Sequence, residues 1–232
     1  GQGGAPGGAN IAFTVPKNGT TMVFTYDPST HILAVSAEGG PRGNLAKARA
    51  HWVTRDTLAW DVGTPAAGTS FFLHYDPDGG LKLTNDGVTG GTAVPLTYDA
   101  AGLPDAVKAK FPHLANFAAL KLGADQLGNV PAILKDQLAV SAKDANGKPL
   151  DATSLQIPGV LDSLYTYNGP LGVTFAGGVP TLRVWAPTAQ SVSLKLYADA
   201  QTASAQTLPM TEDTATGVWS VTGQAGWKNQ YY

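Results

Sequence analysis

Ser191-Val-Ser-Leu-Lys-Leu196 alternates polar and apolar residues with a period of two. That spacing belongs to a strand with one wet face and one covered face, and it puts Val192, Leu194 and Leu196 inward. The pattern recurs along the chain. Ile11-Ala-Phe13-Thr-Val15 carries it, as does Met22-Val-Phe24-Thr-Tyr26. Between such runs stand turn formers: Asn18-Gly19, Asp27-Pro28, Asp76-Pro-Asp-Gly-Gly80, Asn146-Gly147 and Gly177-Gly178. Asn-Gly and Gly-Gly pairs supply the left-handed conformations that tight hairpins need. The 28 glycines and 16 prolines punctuate the sequence about every ten residues or less. No apolar pattern of helical period runs long enough for a bundle, and no strand–helix–strand alternation supports a parallel sheet. The expected fold class is all-β with minor helix, built as consecutive immunoglobulin-like β-sandwich modules.

Working outward, three modules are expected. Residues 1–38 read as the end of an upstream β-sandwich whose earlier strands are missing, and 39–47, with Gly39-Gly-Pro-Arg-Gly43, as a linker. Residues 48–165 form a second module, with strands expected at Ala50–Val53, Thr57–Trp60, Ser70–Tyr75, Leu81–Thr84, Ala93–Tyr98, Gln137–Ala142 and Ser154–Ile157. Short helices are expected at Pro104–Lys110, closed by Pro112, and at Asn129–Leu134. Residues 166–232 form a third module, with strands at Gly172–Phe175, Thr181–Trp185, Ser191–Leu196, Thr207–Met210 and Val218–Val221. Its last strands are expected to be missing.

Composition narrows the functions. Charged residues are 14 % of the chain and hydrophobic ones 43 %, against about 25 % charged in an average soluble domain. Thr, Ser, Asn, Gln and Gly must cover the surface, which points to a secreted or cell-surface protein. The net charge of -2 leaves no basic stripe for a nucleic acid. With no cysteine, disulfides, thiolate metal sites and a cysteine nucleophile are excluded. No apolar run reaches about 18 residues, so no membrane-spanning helix is expected. Gly1–Gly8 is a Gly-rich opening rather than a leader peptide, which implies a mature or trimmed chain.

Arg49-Ala-His-Trp-Val-Thr-Arg-Asp-Thr-Leu-Ala-Trp60, Phe111-Pro-His-Leu114, Ala119-Leu-Lys-Leu122 and Pro158-Gly-Val-Leu-Asp162 occur in order. Together they resemble the N2 module of type I pullulanases over residues 45 to 165. Leu171-Gly-Val-Thr-Phe175, Leu182-Arg-Val-Trp-Ala-Pro-Thr-Ala-Gln190 and Val192-Ser-Leu-Lys-Leu-Tyr197 resemble the start of a family 48 carbohydrate-binding module. The opening 38 residues are similar to a small β-sandwich repeat upstream in bacterial pullulanases. The resemblance implies a starch-debranching enzyme of glycoside hydrolase family 13, cleaving α-1,6-glucosidic bonds in pullulan, starch and limit dextrins. It implies two partners for this region, α-glucan and the catalytic domain of the same protein. In that family the catalytic carboxylates sit on a (β/α)₈ barrel. Nothing here matches its motifs, so no catalytic residue is carried over. An immunoglobulin-like surface array is the competing reading, and the lack of internal repeats speaks against it.

Sugar rings stack their C–H faces on flat aromatic faces, so exposed Trp or Tyr residues are what a glucan site needs. Trp227, beside the Gly223-Gln-Ala-Gly226 turn, and Trp219, in an alternating strand, are the two candidates. Trp52, Trp60 and Trp185 are expected in cores or between modules. No cofactor is required. Calcium is the one ion considered, at Asp76 and Asp78, where carboxylates cluster in a turn, although Asp and Gly are also ordinary turn residues. His31, His51, His74 and His113 match no zinc spacing and are expected to be structural, donating to backbone carbonyls.

Overall fold

A computed structural model describes residues 22–28, 32–37 and 42–232. The Ile11–Val15 strand, the Asn18-Gly19 turn, His31 and most of the Gly39–Gly43 linker lie outside the described residues. The described part is all-β with minor helix, as the alternation implies. It begins with an antiparallel hairpin, β1 (Met22–Asp27) and β2 (Ile32–Ala37), in which Phe24 pairs with Val35.

Seven longer strands build the central module: β3 (Asn44–Thr54), β4 (Thr57–Trp60), β5 (Ser70–Asp76), β8 (Thr92–Asp99), β9 (Ala118–Leu122), β10 (Gln137–Lys143) and β11 (Pro149–Gln156). A small hairpin, β6 (Lys82–Thr84) and β7 (Gly87–Thr89), stands apart from them. The seven pair in the order β10-β11-β3-β4-β9-β8-β5, and β5 pairs back to β10, so the expected sandwich closes into a barrel. All contacts are antiparallel except β11 with β3, which is parallel. That seam carries extra side-chain bonds. The Arg49 guanidinium grips both Asp151 oxygens at 2.6 and 2.8 Å, a fork-to-carboxylate pairing that fixes register as well as adding energy. The Thr153 hydroxyl donates to the Lys47 carbonyl, and the Arg49 N–H donates to that hydroxyl.

β3 starts at Asn44, inside the expected linker. Gly43 explains why the chain can enter the seam there. Its φ is +112°, and a Cβ would lie 2.3 Å from the backbone N and O of Ala152. Only glycine fits so close an approach.

Inward residues follow the period of two. Trp52, Leu58, Trp60, Phe71, Leu73, Leu96, Leu120 and Val140 fill the barrel, with Trp52 and Trp60 fully buried. A second layer lies outside β3, β4 and β9. There Val53, Ala59 and Ala119 pack against Leu103, Val107 and Leu114. Val107 belongs to α1 (Asp105–Lys110), which matches the expected helix from one residue later. α2 (Val130–Ile133) appears where Val130-Pro131 predicts it. α3 (Pro158–Leu164) was not expected. It lies on β3, with Gly159 so close that a Cβ would meet Val53 Cα at 2.9 Å.

The last module has a four-stranded antiparallel sheet, β12 (Gly172–Ala176), β13 (Val179–Trp185), β17 (Val218–Thr222) and β16 (Thr211–Asp213). β14 (Ser193–Leu196) and β15 (Gln206–Pro209) form a separate antiparallel pair. Leu194 and Leu196 are buried and Ser193 and Lys195 exposed, as the alternation requires. Gly177 and Gly178, with φ of +57° and +80°, make the β12–β13 turn, the pair of positive φ values of a type I′ hairpin.

Candidate functional site

The five tryptophans divide by environment. Trp52 and Trp60 are core, as expected. Trp219 is also buried, at 7 % exposure. Its indole N–H donates to the Ala186 carbonyl at 3.0 Å, and the Lys135 ammonium lies 5.5 Å from its ring centroid. Its strand parity made either face open to it. The face it takes is turned to the central module, so it presents no ring to a sugar. Trp227 ends a 3-10 turn at Ala225–Trp227 and is half-buried. One face of its ring lies on the backbone of Gly223, where a Cβ would come within 2.2 Å of ring carbon Cε3. Trp185, expected in the core, is 38 % exposed instead, its N–H held by the Thr216 carbonyl at 3.0 Å. β13 changes character towards its end: Pro180 and Leu182 are buried, whereas Val184 and Trp185 are exposed.

Trp219 sits in a built contact between the modules. Lys135, just after α2, bonds Glu212 of β16 at 2.6 Å, with only 21 % and 14 % of the two side chains exposed. The Gln190 amide donates to two carbonyls of the central module, Pro77 at 2.9 Å and Lys135 at 3.3 Å. The Tyr165 phenol is raised above its usual pKa, first by burial and then by the nearby Glu212 carboxylate.

Pro77 belongs to the turn considered for calcium. Asp76 is buried at the end of β5, and its Oδ1 accepts the Asp78 N–H at 2.8 Å. Gly79 N–H returns to the Asp76 carbonyl. These are the bonds of an Asx turn. Asp136 lies near enough for Asp76 and Asp78 to raise its pKa, after burial, the larger cause. Even so, no three His, Asp or Glu side chains among the described residues come together to hold a metal ion. The turn presents the Pro77 carbonyl to Gln190.

Among the described histidines, His51, His74 and His113 make ring and side-chain contacts rather than the expected bonds to backbone carbonyls. His51 packs edge-on against His113 and Phe117, both at 6.0 Å, and reaches the Gln156 side chain at 3.5 Å. Burial lowers its pKa, and His113 lowers it further. His74 is buried between β8 and β10, with Nε2 2.8 Å from the Ser141 hydroxyl. Burial, then the positive charge of Lys143, pushes its pKa down to about 4. Among the described residues no helix is long and apolar enough to cross a membrane.

Comparison with known proteins places both modules. The model of the pullulanase N2 domain matches residues 47–163, and that of carbohydrate-binding module 48 (isoamylase N-terminal domain) matches residues 170–232. The chain is 38 % identical over 190 residues to Pullulanase 1, chloroplastic, of Arabidopsis thaliana, covering 81 % of this chain and 19 % of that protein. It is 33 % identical over 192 residues to a pullulanase of Klebsiella pneumoniae, covering 81 % and 17 %. The crystal structure of Klebsiella pneumoniae pullulanase complexed with maltotriose aligns with a TM-score of 0.72 at 32 % identity, over 82 % of this chain and 18 % of that one. The chain thus spans under a fifth of the length of the relatives it matches. With an N2 model matched across the whole central barrel and a family 48 module docked on it through Glu212, Gln190 and Trp219, the chain belongs to the pullulanase N2 domain family.

Proposed function

We propose that this chain is the non-catalytic N-terminal region of a pullulanase that hydrolyses α-1,6-glucosidic bonds in pullulan, starch and branched α-glucans. It serves there as a scaffold for the catalytic barrel and as a contact for α-glucan. The observation that carries the reading is the uninterrupted order of an N2 barrel and a family 48 module, which the chain shares with proteins named pullulanase over four fifths of its length. The docking of the modules supports the scaffold role. A pair joined by a covered ion pair and two hydrogen bonds from the Gln190 amide presents one shaped surface to a neighbouring domain rather than two loosely linked ones. The half-exposed rings of Trp185 and Trp227 supply flat apolar faces to a sugar. The low charged fraction supports a secreted or cell-surface setting.

Reducing-sugar release from pullulan tests the assignment. The complete polypeptide that contains this region releases reducing ends, and the 232-residue chain alone stays at the level of a heat-killed control. A complete protein inactive on pullulan would overturn the parent activity, and turnover by the chain alone would overturn its non-catalytic role.

A further inference from the structure

We infer that the mouth of the N2 barrel is a second α-glucan contact, built around Tyr98 and separate from the aromatics of the family 48 module. The inference rests on the α-glucan reading above and adds a site to it.

A cavity of about 300 Å³ opens where β4 and β8 end and β9 begins, lined by Thr64, Tyr98, Asp99, Lys108 and Asn116 among others. Barrel mouths are favoured ligand positions, because the strand ends converge there while the loops remain free to carry polar groups, and about 300 Å³ is the lower end of the usual range for small-ligand clefts. Tyr98 has the parity of the inward residues Val94 and Leu96 on β8. Those two are buried, but Tyr98 lies at the rim and keeps 36 % exposure. Its phenol is thus an apolar face held at the end of a rigid strand, with Leu120 as its cross-strand neighbour and Phe117 in the same lining.

Around that face stand hydrogen-bonding groups of every kind: a hydroxyl on Thr64, a carboxylate on Asp99, an ammonium on Lys108 and an amide on Asn116. Asp99 is fixed in place, its Oδ1 accepting the Ala101 N–H at 3.0 Å and its carbonyl the Gly102 N–H. The Lys108 ammonium lies 3.4 Å from the Asp105 carboxylate, so it stands at the rim already paired rather than as a free charge for an anionic ligand. Donors and acceptors around an aromatic face match a polyol with apolar C–H faces. A glucosyl unit of an α-glucan has that chemistry.

The test is affinity electrophoresis of the 232-residue chain through pullulan, with amide chemical shifts read during titration with maltotriose. The wild-type chain is retarded, and its shifts move at Thr64, Tyr98 and Asn116. Tyr98→Ala weakens retardation about tenfold, the loss expected from truncating an aromatic anchor. Asn116→Ala, at an exposed position, weakens it severalfold. Trp185→Ala and Trp227→Ala leave the mouth shifts in place. If retardation is lost in the tryptophan variants but unchanged in Tyr98→Ala and Asn116→Ala, the barrel-mouth site is refuted while α-glucan binding stands. If the wild-type chain migrates freely and no shift moves, both fall.

Discussion

Replacing Lys135 by Met removes the charge that Glu212 faces while keeping most of the side chain's length. The two groups are 2.6 Å apart and about four-fifths covered, so the pair lies between two measured regimes. Exposed ion pairs contribute about 0–1 kcal/mol, whereas stranding one partner of a fully buried pair costs about 3–5 kcal/mol. The ammonium also sits over the Trp219 ring at 5.5 Å, worth about 0.5–1 kcal/mol where partly exposed. Lys135→Met is therefore expected to destabilise the chain by about 2–3 kcal/mol. Glu212→Leu alone is expected to cost a similar amount, because it strands the ammonium. Combining the two removes both charges, and the coupling read from the double-mutant cycle is expected at about 1.5–3 kcal/mol. Urea unfolding followed by tryptophan emission measures it, since Trp219 lies under the pair. Amide exchange of β16 and β17 locates the effect at the docking face. A coupling below about 0.5 kcal/mol would show that solvent screens the pair and that the modules are not held together by it.

Three further outcomes are expected. Trp60→Ala empties a fully buried site in the barrel and lowers stability by about 3–5 kcal/mol, read as a shift of the urea midpoint. Gly43→Ala forces a Cβ at positive φ into the Ala152 backbone. It opens the β3–β11 seam, seen as loss of exchange protection at Arg49 and Thr153, whereas Gly147→Ala, whose Cβ meets nothing, costs only about 1 kcal/mol. For His74 the folded pKa of about 4 lies below the ordinary 6.5, so between those values the unfolded chain binds the extra proton. Stability is then complete above pH 6.5 and is lost as the pH falls towards 4, by about 3 kcal/mol from this group. His74→Gln keeps a partner for Ser141 and removes that part of the pH dependence, and an unchanged profile would refute the assignment.

Alternation is clearest where one face is wet: β8 (Thr92–Asp99), with Val94 and Leu96 buried and their neighbours exposed, stands within a residue of its expected limits, because alternation and a bounding turn act locally. β9 (Ala118–Leu122) carries no alternation, since it is covered on one side by the barrel and on the other by the layer under α1. A strand buried on both faces reads as a plain apolar run. Helix α3 has seven residues, too few for a 3.6-residue period to show, and its place depends on Gly159 meeting the backbone of β3. Nor could the sequence rank the tryptophans. Trp219 and Trp185 occupy neighbouring strands, with Val218 opposite Trp185. The covered ring, Trp219, lies under Lys135, a residue from the other module and far away in the chain.

That dependence changes where a ligand surface should be sought. The ring that alternation offered to a sugar, Trp219, is consumed by docking. The turn that carboxylate content offered to a cation, Asp76-Pro-Asp78, supplies a carbonyl to the same docking face. Trp219 stands in an alternating strand and Asp76 and Asp78 in a carboxylate-bearing turn, and an inter-module contact draws on such residues for its own reasons: it must satisfy each polar group it covers while presenting flat surfaces for packing. The barrel mouth escaped notice for the opposite reason. Thr64, Tyr98, Lys108 and Asn116 come from four separate segments and make no pattern along the chain. The pairing of β4 and β8 on either side of β9 brings these segments to one rim.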